Sequence, residues 1–347
     1  MTTSRAPSSA LTQFVVASRY MPVYIALSVL IVVAFIWARP ALSNVALSAI
    51  APYGALLGIT ALGQMLVVMT GGIDLSTPAT LTLAMVIMTG VGMQSDDRIG
   101  LAILVALGVA ALIGLLNGIL IGGLKLNALI VTLAVGQVVV GVINRYGRTF
   151  PVQSQAPAGW TQMTTNRILG ISSVFWAGLL LTLLLMLGFR YTSIGRKFQA
   201  VGANPVASNV VGVRVNLNQI LVYVVAAVFY AAAGLALAGL LRTPGVAVNN
   251  QYLLGPIAAV VIGGASLAGG LASSASTFVA AVFLTGLNQV MRTMGLGTAW
   301  QFVVFGLVII GGMLVSGDRI IRAVEQLLRE RRRSRPPDGR ETRAETT

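Results

Sequence analysis

Histidine and cysteine are both absent from the 347 residues. Their absence excludes histidine base catalysis, thiol nucleophiles, disulfides and the usual zinc or copper sites. Carboxylates are almost as scarce. There are nine, at Asp74, Asp96, Asp97, Asp318, Glu325, Glu330, Asp338, Glu341 and Glu345, and none falls between Arg98 and Gly317. Without clustered acids, a paired-carboxylate or two-metal enzyme is excluded, so no catalytic residue and no metal site is expected. A soluble domain is about one quarter charged, whereas this chain is 9% charged and 56% hydrophobic. No soluble domain keeps some 220 residues of surface free of carboxylates, so the chain reads as an integral membrane protein.

The formal charge of +14 does not indicate nucleic-acid binding. Nine of the 23 basic residues lie in the tail from Arg319 to Arg343, and the rest sit singly or in small groups between apolar runs. That is the pattern of loop charges in a membrane protein, whereas a nucleic-acid domain gathers them on one surface. The first long apolar run starts near Tyr20 with no small-x-small site before Arg39, so the N-terminus is expected to be retained.

A helix needs about 20 apolar residues to cross a bilayer. Ten crossings are expected, at roughly 20–38, 47–70, 78–93, 100–122, 128–146, 173–189, 217–240, 254–268, 273–290 and 299–316. The fold class is therefore all-α and polytopic, the transmembrane domain covering 20–317. With the N-terminus inside, sixteen basic residues face the cytoplasm and seven face outward, which places both termini in the cytoplasm. Residues 1–19 form a short cytoplasmic segment, 190–216 an inside loop, 147–172 an outside loop, and 318–347 a basic, disordered tail that anionic lipid headgroups attract.

Five patterns stand out. Ala102, Ala106, Ala110, Gly114, Gly118 and Gly122 recur every fourth residue and make a close-packing helix seam, with Asn117 beside it. Ser273, Thr277, Ala281, Thr285 and Gln289 form a small, polar face at the same spacing, suited either to helix contacts or to a route for a hydroxylated solute. Thr70-Gly71-Gly72-Ile73-Asp74-Leu75-Ser76-Thr77-Pro78 breaks an apolar run. Gly71 and Gly72 end one helix, Ser76 or Thr77 caps the next, and Pro78 suits its first turn. Asp74 either serves that cap or is a functional ionisable group in the membrane. Gly263-Gly264-Ala265-Ser266-Leu267 echoes Gly71, Gly72 and Leu75 at an offset of 192, a hint of an internal repeat. In the inside loop, Asn204 caps a short helix with Pro205 at its first position, apolar at Val206 and Val210 and suited to a groove on a cytoplasmic partner.

GGIDLS at 71–76, GRKFQAVGANPVASNVVGV at 195–213 and VVIGGASLAGG at 260–270 together resemble the sugar-type permeases of bacterial ABC importers, over about 45–316 and in the same order. The resemblance implies a ten-helix inner-membrane subunit that pairs with a second permease chain, identical or paralogous. It also implies a separate cytoplasmic ATPase that binds ATP and Mg, and a periplasmic or surface-anchored solute-binding protein. On this resemblance Gly195, Arg196, Gly202, Asn204, Pro205 and Ala207 belong to the ATPase-coupling loop, and Gly71, Gly72, Asp74 and Ser76 to the broken-helix motif. Three departures are Thr77-Pro78 where the family has Val-Gly, Leu271-Ala272 where it has a basic residue, and Phe305 where it has lysine. Neither Lys125 nor Lys197 follows glycine, so the chain carries no P-loop and no cofactor is expected on it. Gln64, Asn117, Gln137, Asn288 and Gln289 are the candidate solute-pathway residues, and their neutrality favours a polyhydroxylated solute. The alternative is a secondary transporter driven by an ion gradient, for which Asp74 is the sole candidate coupling acid.

Overall fold

The computed structural model describes residues 9–149, 155–242 and 251–316. The basic tail expected at 318–347 lies outside them. Helix α1 spans Ser9–Trp37, α2 Asn44–Met69, α3 Thr77–Gly92, α4 Ile99–Gly118 and α5 Ala128–Thr149. A short α6 (Ala158–Thr165) and a two-residue-per-strand hairpin, β1 (Arg167–Ile168) with β2 (Ile171–Ser172), precede α7 (Ser173–Tyr191). Then come α8 (Ser193–Ala203), α9 (Pro205–Val210), α10 (Val215–Leu241), α11 (Gln251–Ile262), α12 (Ser274–Thr293) and α13 (Thr298–Ser316).

Among the described residues, seven helical stretches are long and apolar enough to cross a membrane: Tyr20–Trp37, α2, Asp96–Gly123, Ala128–Arg145, α7, α10 and α12. Each of the ten expected spans coincides with a helix, but two of those helices are shorter than a crossing needs. Helix α3 has 16 residues and α11 has 12. At 1.5 Å per residue α11 is about 18 Å long, against a hydrocarbon core of about 30 Å. The expected span 254–268 ends early because the chain leaves the helix at Gly263 and turns twice before α12.

Helices α2, α10 and α12 form the centre of the bundle. The small-residue seam on α4 packs against α10, as its spacing predicts. A Cβ on Gly114 would stand 2.5 Å from the Tyr223 carbonyl, and one on Gly118 would stand 2.8 Å from the Ile220 Cα. The backbones meet here without intervening side chains. The opposite face of α4 exposes Leu101, Leu104 and Leu112, and α5 and α7 expose Ile130, Val138, Leu180 and Leu184, which suits lipid or a second apolar surface.

The loop expected outside is, in its described part from 155 to 172, more structured than its composition suggests. Trp160 Nε1 donates to the Leu235 carbonyl at 2.8 Å, and the Gly159 amide donates to Asp96 Oδ1 at 2.8 Å. Thr164 packs directly on Gly239. These bonds fasten α6 across the ends of α3, α4 and α10. The sequence reading missed α6 because eight residues carry too little periodicity to stand out from a loop.

Both glycine motifs close helices in the same way. At the end of α2 the Gly71 amide bonds the Val68 carbonyl and the Gly72 amide bonds the Val67 carbonyl. At the end of α11 Gly264 bonds Val261 and Ala265 bonds Val260. Gly71 and Gly264 hold φ of +81° and +84°, the left-handed position of this cap that glycine fills without a Cβ penalty. The structural equivalence runs at an offset of 193, one residue from the sequence match. The same cap closes α9 at Gly212 and α12 at Gly295. The shared glycines therefore report helix termination and give no support to an internal repeat.

Candidate functional site

The broken-helix motif is a piece of irregular backbone held by side chains from several helices. Asp74 is 1% exposed. Its Oδ1 accepts from the Ser76 amide at 2.8 Å and from the Ser76 hydroxyl at 2.6 Å. Ser76 occupies the N-cap position of α3, but its own side chain makes no capping bond; the cap expected from Ser76 is supplied by the carboxylate two residues earlier. One orientation of the Gln64 amide satisfies both of its ends. Nε2 donates to the Asp74 carbonyl and to the Tyr230 hydroxyl, and Oε1 accepts from the Asp74 amide, each at 3.1 Å. The Leu75 amide donates to Thr132 Oγ1 at 2.9 Å, and Asn117 Nδ2 donates to Ser76 Oγ at 3.0 Å. Helices α2, α4, α5 and α10 thus each send one side chain to the break. Bilayer lipid offers no hydrogen bonds, so non-helical backbone persists at that depth only with such partners.

Two of the five candidate pathway residues belong to this arrangement. Gln64 and Asn117 are buried and hold the break between α2 and α3. Gln137 is exposed on α5. Asn288 and Gln289 line a cavity of about 410 Å³, together with Tyr53, Gln251, Tyr252, Thr285 and Arg292 among others. The cavity sits between the N-terminal ends of α2 and α11 and the C-terminal ends of α10 and α12. Its polar lining is amides, hydroxyls and one guanidinium, and its aromatic lining is two tyrosines. The polar face of α12 divides. Thr285 and Gln289 reach the cavity, whereas Thr277 packs on Gly263 and Ser273 Oγ caps α12 by accepting from the Ser276 amide at 3.3 Å. Sequence reasoning missed Tyr53, Gln251, Tyr252 and Arg292. Arg292 was countable as an outward-facing charge one helical turn beyond Asn288, which was the available signal.

The loop at 190–216 becomes two helices at the opposite end of the bundle. Thr192 Oγ1 caps α8 by accepting from the Gly195 amide at 3.1 Å. Asn204 Oδ1 caps α9 by accepting from the Ala207 amide at 3.0 Å, with Pro205 at the first position, the geometry its sequence predicts. Arg196, Lys197, Pro205 and Ala207 are exposed, and so are the apolar Val206, Val210 and Val211. Gly195 and Gly202 are buried. A Cβ on Gly195 would stand 2.5 Å from the Gly188 carbonyl, and one on Gly202 would collide with the Met69 carbonyl. Those two glycines press α8 onto α7 and α2 and present nothing outward.

A family model described as the permease component of the branched-chain amino acid transport system matches residues 46–313. The fructose import permease of Rhizobium meliloti is 33% identical over 277 residues, covering 78% of this chain and 76% of that protein. The ribose import permease of Escherichia coli K12 is 30% identical, with 75% and 82% coverage. The autoinducer 2 import permease of Salmonella typhimurium is 29% identical, with 84% coverage of each chain. No solved structure matches the chain. The matched segment takes in all three glycine-bearing motifs, and the described chain is an assembly of apolar helices. The chain belongs to this permease family of ABC importers, as a multi-pass subunit of the cell's inner membrane whose ATP hydrolysis resides on a separate subunit.

Proposed function

We propose that this chain carries a sugar or related neutral polyhydroxylated solute, and that the cavity between α2, α10, α11 and α12 is where the solute first meets it. The observation that carries this reading is the lining: amides of Gln251, Asn288 and Gln289, hydroxyls of Thr285, Tyr53 and Tyr252, and no carboxylate among the described residues. Neutral hydroxyl-rich solutes are held by such groups and by aromatic faces. The family description favours a second reading, an amino acid, and Arg292 would receive its carboxylate. The lining offers no acid for the ammonium group, which is the reason to prefer the sugar. Named relatives import fructose, ribose and galactose.

In the full reading the chain crosses the membrane ten times with both termini in the cytoplasm. The cavity then opens outward, toward a solute-binding protein, and α8 and α9 face inward. The shorter α3 and α11 complete crossings as parts of broken spans. The exposed Val206, Val210 and Val211 of α9 dock a cytoplasmic ATPase that binds ATP and Mg. A second permease chain, identical or paralogous, covers the apolar outer faces, and Gln137 lines a central route only if that chain closes over α5. Lipid headgroups attract the basic tail. ATP binding displaces α9 and shifts the bundle between two packings, and the chain contributes a path and no bond chemistry.

The test is uptake by the reconstituted importer, comparing pentoses and hexoses with leucine. Accumulation of a sugar without leucine is expected. Accumulation of leucine with no sugar uptake overturns the reading in favour of the amino acid.

A further inference from the structure

The C-terminal end of α2, helix α8 and the turn after α11 meet at three glycines. The Gly270 amide donates to the Met69 carbonyl at 2.8 Å. Gly202 lies so close to that carbonyl that a Cβ would collide with it, and the same Cβ would stand 3.0 Å from the Gly270 nitrogen. A Cβ on Gly269 would stand 2.7 Å from the Gly202 carbonyl, and one on Gly270 3.0 Å from the Ala203 Cα. Gly269 and Gly270 hold φ of +96° and +87°, a region that side-chain-bearing residues rarely enter. All three approaches are backbone against backbone, so no rotatable side chain lies between the elements to absorb a displacement.

What these elements reach matters. Helix α8 runs directly into α9 through the Asn204 cap. Helices α2 and α11 carry Tyr53, Gln251 and Tyr252 to the cavity. Met69 and Tyr53 are sixteen residues apart on one helix, about 24 Å at 1.5 Å per residue.

We propose that Gly202, Gly269 and Gly270 are coupling residues that clasp α8 to α2 and α11, so that the three move as one body and a displacement of α9 reaches the cavity. This rests on the docking role given to α9 above. The clasp itself sits beneath the docking surface and acts through it. Ala203, in contact with Gly270, marks the edge of the clasp.

The experiment uses the assembled importer in proteoliposomes. With Gly202→Ala, the ATPase is expected to co-purify and its basal hydrolysis to stay within about twofold of wild type. Stimulation by solute-loaded binding protein and solute uptake are both expected to fall at least about tenfold. Wild-type stimulation and uptake in a folded Gly202→Ala complex overturns the clasp. Loss of the ATPase from Gly202→Ala, together with its retention by Val206→Asp, overturns the docking reading instead. A second arm does not depend on that variant folding. The chain has no cysteine, so Ala203→Cys with Gly270→Cys introduces the sole thiol pair. The ideal Cβ position at Gly270 is 3.2 Å from Ala203 Cβ, about 0.6 Å short of the usual disulfide separation of about 3.8 Å, so the turn must give slightly for the bond to close. Gly270→Cys loosens the clasp, so the reduced pair is expected to transport below wild type; if the elements move as one body, the disulfide restores uptake rather than lowering it. Uptake blocked by oxidation and restored by dithiothreitol means that the elements separate during transport, and overturns the proposal.

Discussion

Replacing Asp74 separates its two readings, as a cap and as an ion-coupling acid. The carboxylate is buried, and its Oδ1 takes both bonds from Ser76, at 2.8 and 2.6 Å. Its Oδ2 has no hydrogen-bond partner among the described residues. Asp74→Asn therefore exchanges only the oxygen that makes no bond, and removes a buried charge while doing so. Asp74→Ala removes the acceptor and leaves the Ser76 amide buried without a partner, at a cost of about 1–3 kcal/mol. The Ser76 hydroxyl rotates and adds less. The expected order of thermal stability, measured by detergent-solubilised unfolding curves, is wild type equal to or below Asp74→Asn, with Asp74→Ala clearly lowest. Uptake per folded complex should be unchanged in Asp74→Asn. A variant Asp74→Asn that is as stable as wild type yet transports nothing refutes the capping account, because it would show that the charge itself is needed.

Other outcomes follow from the same geometry. Gly114→Leu drives a side chain into the Tyr223 backbone; overpacking of this kind costs about 1–3 kcal/mol or more, and folded yield should drop sharply while Leu104→Ala on the exposed face leaves it near wild type. Val206→Asp or Val210→Asp, on the exposed face of α9, should abolish ATPase co-purification while the permease still elutes as a folded monodisperse species. Asn288→Ala and Gln289→Ala should raise the solute concentration needed for half-maximal uptake several-fold without altering ATPase association; an unchanged concentration dependence in both would remove the cavity from the solute route.

Where the sequence was informative, one local rule determined the structure. The four-residue spacing of Ala102 to Gly122 read out as a helix seam because small residues in lipid serve backbone contact and little else. Asn204-Pro205 read out as a helix start because cap and first-turn preferences act within four residues. The break at 71–76 was legible as a break, but its partners were not. Gln64, Asn117, Thr132 and Tyr230 come from four separate helices, and nothing local ties a glutamine in one helix to an aspartate amide beyond its end. The same limit governs the cavity. Asn288 and Gln289 looked no different in sequence from Gln64 and Asn117, since all are neutral amides in apolar helices. Tertiary packing alone decides which of them hold backbone and which face open space. Gly202 was grouped with the docking loop by its motif, whereas it is the buried side of that loop.

The account's central claim is that the chain is the path of an importer powered from outside itself. The most direct measurement is solute uptake by the permease reconstituted with its ATPase and binding protein, with ATP and the ion gradients varied independently. Uptake should cease when ATP is withdrawn and continue when an uncoupler collapses the proton and sodium gradients. Uptake that persists without ATP and stops with the uncoupler would contradict the claim.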